Sequence, residues 1–403
     1  MRVAKLYCKI ALAGIVASAL GVTASAQDTT ADRTTVQKAK TTSAAMNEFG
    51  LKVVSNLSAS RPHKNIFVSP LSVFVALAMT EKGTTGATRS GIRQALAVPH
   101  DVTEDQLQDS TSAVLSAFEA ERRDGLSVAN GLWSSKPLAH AFTEQCRKFY
   151  QAEVATLDLK NEVAAASRIN GWVSTKTHDK IHSIVEPRAL GDSSVVLTNA
   201  LYFHGTWSKP FPKNITREES FHLAGGGEKK VQMMHQPELS DAYRRGEGFE
   251  AVALDYQSSH IRLYAILPQA GTSPEQGLAR VASQGLQPAS GERVNLYLPR
   301  FTLDFSAELN DVLKGMGMAA AFAASDDFRP MGAGKLSLGL VQHRAVLEVD
   351  EEGTTASGGT VAVLSRELPT GNTLFFDRPF AVLLCDTRTG AVLFAGVVYE
   401  PGP

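Results

Sequence analysis

Glu351-Glu352-Gly353-Thr354-Thr355-Ala356-Ser357-Gly358-Gly359-Thr360-Val361-Ala362-Val363-Leu364 is the stretch from which the rest of the chain is best read. Strand side chains alternate between two faces, so one face of this segment would carry Thr354, Ala356, Gly358 and Thr360. None of the four is charged or large, and a sheet could bury all of them. Two acids and a glycine come first. Ser365-Arg366-Glu367-Leu368-Pro369-Thr370-Gly371-Asn372 follows, polar and rich in turn formers, before the apolar run Thr373-Leu374-Phe375-Phe376. An exposed loop whose first half can enter a sheet reads as a conformational switch.

Working outward, residues 45–180 show mainly helical spacing, as in Leu71-Ser72-Val73-Phe74-Val75-Ala76-Leu77-Ala78-Met79. After Ser194 the pattern changes to strands. They include Val195-Val196-Leu197-Thr198, residues 261–267, 294–298 and 346–349, and the C-terminal runs 380–384 and 391–398. Helices first and strands later imply an α+β fold, with N-terminal helices packed on mixed or antiparallel sheets. No repeat or linker divides residues 45–403, so one domain is the simplest count.

The 403 residues, 43% hydrophobic and 20% charged, suffice for one large core or two smaller ones. A formal net charge of −1 and the lack of a long basic run argue against nucleic-acid binding through phosphates. Residues 1–26 read as a signal peptide: Arg2, Lys5 and Lys9 come first, Ile10 to Val22 is apolar, and Ala24-Ser25-Ala26 fits a cleavage site before Gln27. Its removal shifts the formal charge by three units to −4. No later run approaches the ~20 apolar residues that span a bilayer. A secreted or periplasmic protein with no membrane partner is expected. Residues 27–44, polar and Thr-rich, read as a disordered lead-in. Cys146 and Cys385 remain after processing, either paired or as buried thiols.

Enzyme motifs are weak or missing. There is no Gly-x-Ser-x-Gly and no His-Glu-x-x-His, and Gly332-Ala333-Gly334-Lys335 lacks the rest of a phosphate loop. His178 and His182, four apart in an expected helix, have no evident third ligand, so neither a metal nor another cofactor is expected. Trp133, Trp172 and Trp207 read as packing anchors. Asn56-Leu57-Ser58 and Asn214-Ile215-Thr216 are glycosylation sequons.

In chain order, a set of segments resembles the serpin family from about Ala45 to Pro401. The set includes Asn65-Ile66-Phe67-Val68-Ser69-Pro70-Leu71-Ser72, Gly83-Thr84-Thr85-Gly86-Ala87-Thr88, Ile169-Asn170-Gly171-Trp172-Val173 and Leu197-Thr198-Asn199-Ala200-Leu201-Tyr202-Phe203-His204-Gly205-Thr206-Trp207. It continues through Leu298-Pro299-Arg300-Phe301, Met316-Gly317-Met318, Val341-Gln342-His343-Arg344-Ala345, Glu351-Glu352-Gly353-Thr354 and Asp377-Arg378-Pro379-Phe380.

The resemblance implies a suicide-substrate inhibitor of serine, or in some members cysteine, proteases: not an enzyme, but a monomer that ends in a covalent 1:1 complex with its target. It implies a reactive loop at about residues 351–373, whose hinge is Glu351, Glu352, Gly353, Thr354, Thr355, Ala356, Ser357, Gly358, Gly359 and Thr360. Family spacing puts the reactive bond between Glu367 and Leu368; cutting between Arg366 and Glu367 remains the alternative, because it moves Pro369 one place further from the cut. Ser69, Ser72, Asn199 and His343 fall where the family keeps a polar cluster that lets the central strands part. Trp207 and Thr216 fall where the loop enters. Thr355 replaces a customary glutamate, and Ser357, Gly358 and Gly359 replace alanines, which implies slower insertion. The rival reading is a non-inhibitory carrier, for which a charged or proline-containing hinge would be the clue.

Overall fold

A computed structural model describes residues 30–118, 125–191, 193–257, 260–286, 291–332, 334–353 and 372–402. The signal segment, the hinge residues Thr354 to Thr360 and both candidate reactive bonds lie outside these residues.

The N-terminal half runs α1 (Thr30–Ser60), β1 (Ile66–Val68), α2 (Pro70–Lys82), α3 (Gly86–Ala95), α4 (Glu104–Ala117), β2 (Leu126–Ser134), α5 (His140–Tyr150), β3 (Glu153–Thr156) and α6 (Glu162–Lys176). Strands then dominate: β4 (Val195–Phe203), β5 (Arg217–His222), β6 (Glu228–Leu239), β7 (Tyr243–Gly246), β8 (Phe249–Asp255) and β9 (Ile261–Pro268). After α7 (Pro274–Gln284) come β10 (Val294–Pro299), β11 (Phe301–Glu308), α8 (Asn310–Leu313), β12 (Leu338–Val349), β13 (Asn372–Phe375), β14 (Phe380–Asp386) and β15 (Val392–Val398). The α+β expectation holds, with three sheets among the described residues. Their strand orders are β1-β15-β14-β9-β8-β7, β13-β10-β6-β5 and β11-β12-β4-β2-β3.

Two sequence expectations need correction. Residues 30–44 are helical rather than an unstructured lead-in. Ala39, Thr42, Ser43, Met46, Phe49, Val53 and Leu57 are buried at helical spacing. Small hydroxyl residues hold that stripe's first turns, so counting large apolar groups misses it. Residues 45–180 are mainly helical as expected, with the short strands β1, β2 and β3 set between the helices. Finally, His178 and His182 do not share a helix face. α6 stops at Lys176, and His178 and Asp179 take left-handed backbone angles of 50° and 59° that turn the chain away.

The five-stranded sheet positions the site. β4 is buried along its whole length, so both faces of Val-Val-Leu-Thr-Asn-Ala-Leu-Tyr-Phe meet a core. Val195, Leu197, Leu201 and Phe203 join the larger core, while Val196, Ala200 and Tyr202 join a smaller one with Trp133, Ile169 and Trp172. The period of two therefore points Asn199 into the larger core, toward α2, and Thr198 to the opposite face, where it accepts the Trp133 indole N–H at 2.8 Å. β12 pairs parallel with β4, and β4 pairs antiparallel with β2. His343, Asn199 and Asn130 fall abreast across these three strands.

Candidate functional site

The register decides the polar cluster. Ser69 caps the N-terminus of α2, its hydroxyl accepting the Ser72 N–H at 3.2 Å, with Pro70 in the first turn where no donor is needed. The Ser69 N–H donates to His343 Nε2 at 3.1 Å. Nε2 is thus an acceptor, so Nδ1 carries the proton and donates to Asn199 Oδ1 at 2.7 Å. Asn199 Nδ2 in turn donates to Asn130 Oδ1, which also takes the Ser72 hydroxyl at 3.4 Å. All five residues are buried. Burial lowers the His343 imidazole to about 3, against a weaker opposing contact from Asn199, and keeps it neutral. One unbroken set of hydrogen bonds therefore crosses β12, β4, β2 and the start of α2. The His343–Asn199 contact is its crossing of the β12–β4 seam.

The second part of the site lies where β12 ends. Residues 350–353 make a tight reversal: the Gly353 N–H faces Asp350 O at 3.4 Å, and the Glu352 N–H donates to Asp350 Oδ1 at 2.9 Å. Gly353 sits at φ +97°, and a Cβ there would fall 2.3 Å from Gly205 O and 2.4 Å from Trp207 N, so only glycine fits. The segment after β4 holds this turn. The Trp207 backbone N–H donates to Glu352 O at 3.0 Å, its indole to Asp350 O at 2.8 Å, and the Phe211 N–H to Glu351 O at 2.7 Å. Trp207 is fixed in turn by stacking on Tyr256, with ring centroids 4.3 Å apart.

Glu351 is 2% exposed and carries its carboxylate inward. Burial alone would raise its pKa. The Thr216 hydroxyl at 2.8 Å and the Arg300 guanidinium at 2.5 Å outweigh burial and hold it below the usual glutamate value. Glu352 pairs with Lys213 at the surface. β12 ends at this turn, and the next described residue, Asn372, opens β13, an edge strand of another sheet that pairs parallel with β10.

A family model described as serpin, a serine protease inhibitor, matches residues 44–401. The chain belongs to the serpin family. Neuroserpin of Gallus gallus is 31% identical over 375 residues, covering 88% of this chain and 90% of that one. Serpin B6 of Pongo abelii is 31% identical over 371 residues, covering 89% and 98%. Among solved structures, human thyroxine-binding globulin complexed with thyroxine is 25% identical with a TM-score of 0.81, covering 91% of this chain and all of that one. Serpin48 of the insect Tenebrio molitor is 25% identical with a TM-score of 0.78, covering 93% and 100%.

This serpin brings the sequence-derived site residues together as two groups. Ser69, Ser72, Asn199 and His343 touch in one network, and Trp207 and Thr216 both contact the turn that holds Glu351. Sequence reading missed Asn130, Arg300 and Phe211. Arg300 belongs to a quoted segment, yet nothing in the order of residues pairs it with Glu351. Cys146 and Cys385 are free buried thiols, each pushed up to about 12 by burial. No described helix is long and apolar enough to cross a membrane.

Proposed function

We propose that this serpin is an exported suicide-substrate inhibitor of serine proteases, with cysteine proteases as a second target class, acting as a monomer that ends in a covalent 1:1 complex. One observation carries the reading: β12 and β4 are parallel neighbours, and β12 ends in a reversal at residues 350–353. A strand placed between two parallel strands can run antiparallel to both. That is the direction of a segment continuing from β12 through a reversal. Thr354, Ala356, Gly358 and Thr360 would then face inward along it, and none would bury a charge.

In this mechanism the protease nucleophile attacks the carbonyl of Glu367, or of Arg366 in the alternative register. The peptide bond to the next residue breaks, that residue's amine leaves with a proton, and the acyl group stays on the protease. The freed segment enters the β12–β4 seam before water can hydrolyse the acyl bond. His343 must release Asn199 for the seam to part, and a hydrogen bond can be exchanged where an interlocked apolar contact would resist. Glu351 and Trp207 would hold the entry turn in place until then.

Incubation with a panel of serine proteases, followed by denaturing electrophoresis, tests the proposal. A detergent-stable band at the combined mass is expected. Cleavage of the loop without that band would return the chain to the carrier reading. Export is tested by sequencing the N-terminus of secreted material, which should begin at Gln27.

A further inference from the structure

A second feature lies beside the entry turn, on the far side of Trp207. A cavity of about 460 Å³ opens between the segment after β4, the end of β6, β7, β8 and the start of β9. This is within the usual size range of small-molecule sites. Trp207, Leu239, Ala253 and Leu254 give it an apolar wall, and Lys209, Arg244 and Arg262 bring three cations to it against two carboxylates, Asp241 and Asp255.

The cations differ in how they are compensated. Arg262 is spoken for, gripping Asp255 through Nε at 2.5 Å and Nη2 at 3.1 Å. Lys209 stands exposed at the rim. Arg244 is 6% exposed, and its hydrogen bonds go to the backbone carbonyls of Asp241 at 2.7 Å and Tyr243 at 3.0 Å, with no carboxylate. Burial accordingly pulls its pKa below the ordinary arginine value. Asp255 and Asp241 act on Arg244 only at longer range and neither carboxylate hydrogen-bonds it, so its planar fork, which matches a carboxylate, holds none directly.

We infer that this cavity is a binding site for a small organic carboxylate, with Arg244 as the charge partner, Lys209 as a rim cation, and Trp207 and Leu254 packing against an apolar body. The site does not depend on protease inhibition, and its test uses uncleaved protein without any protease.

Isothermal calorimetry with 2-naphthoate and with neutral 2-naphthalenemethanol, each titrated into the mature chain, supplies the test. Naphthoate should bind at least about tenfold tighter than the alcohol. Arg244→Gln should abolish the difference, and Lys209→Glu should weaken naphthoate at least about threefold while sparing the alcohol. Where Arg244→Gln fails to fold by circular dichroism, Ser240→Trp at the mouth takes its place and should block both ligands. Equal affinity for the two probes in the unmodified protein overturns the assignment. So does naphthoate binding that is unchanged by Lys209→Glu and by whichever cavity variant folds.

Discussion

Thr216 donates its hydroxyl to Glu351 Oε1 at 2.8 Å, tying the segment before β5 to the turn after β12. Hydrogen bonds to a charged group contribute ~1.5–3 kcal/mol, so Thr216→Val should destabilise the uncleaved protein by an amount in that range. Because the folded carboxylate is held below its ordinary value of 4.5, its stabilisation is present above that value and is lost as pH falls through the lower folded value. Urea unfolding of both proteins across the acid range should show the difference between them shrinking as Glu351 protonates. A gap of constant size would mean that the hydroxyl does not act through the carboxylate.

His343 gives a second acid-side dependence, from a base instead of an acid. Its folded value of about 3 lies below the ordinary 6.5, so the unfolded chain binds a proton that the folded chain refuses. Stability is complete above about pH 6.5 and falls as pH drops toward 3, by at most about 1.4 kcal/mol per unit. His343→Gln removes the titrating group. It should be less stable at neutral pH, having lost part of the network, yet should show a flatter profile between about pH 6 and 4. Parallel profiles for the two proteins would count against a neutral His343.

These two contacts differ in how far they can be read from sequence. β4 is plain because its buried run has no competing pattern, and Asn199 stands out as a polar group inside that run. The alternation of β4 even gives the face on which Asn199 lies. Asn130 carries no such mark, since β2 mixes Ser, Asn and Gly with its apolar residues. Its place emerges only when β2 lies in register against β4. Arg300 is the same case at longer range: 51 positions separate it from Glu351, and the antiparallel packing of β11 on β12 brings the two ends together. The helical stripe of α1 was hidden for another reason, because Thr42 and Ser43 occupy core positions that a search for bulky side chains passes over.

On the inhibitory reading, the small residues after Gly353 set the efficiency of trapping. Each glycine weakens a strand by roughly 0.5–1 kcal/mol relative to alanine, so Gly358→Ala should speed insertion. The ratio of complexed to merely cleaved inhibitor on a gel should rise. Ala356→Asp should do the reverse, because it would bury an unpaired carboxylate, and should leave cleavage with almost no stable complex. An unchanged ratio in both variants would mean that these positions do not enter the sheet.

Which bond is cut separates two classes of target. Glu367 before the cut selects a protease that accepts glutamate, and Arg366 selects a trypsin-like one. Brief exposure to one protease of each class, followed by mass spectrometry of the released C-terminal peptide, should give a fragment beginning at Leu368 in the first case and at Glu367 in the second. The band-forming protease should be the one whose cut matches. Complex formation after a cut elsewhere in the loop would overturn the assignment of both bonds.

Loop cleavage should raise thermal stability, although nicking a loop ordinarily leaves stability unchanged or lowers it. In the uncleaved chain, β12 and β4 bond directly to each other, and β12 and β13, the described strands on either side of residues 354–371, belong to two different sheets. On the inhibitory reading, the pairing of β13 with β10 is the tether that keeps this segment from filling the β12–β4 seam. A cut removes that tether. The seam can then take a new strand, adding two antiparallel ladders where one parallel ladder stood, and parallel pairing is the slightly weaker kind. The uncut form is then held by a barrier rather than by depth, so its resistance to heat is partly kinetic. Differential scanning calorimetry before and after cleavage by a protease that does not form a complex is the measurement. The cleaved protein should melt well above the intact one, and the intact transition should move with scan rate. A lower melting temperature after cleavage would count against insertion and leave the β12–β4 seam a static part of the sheet.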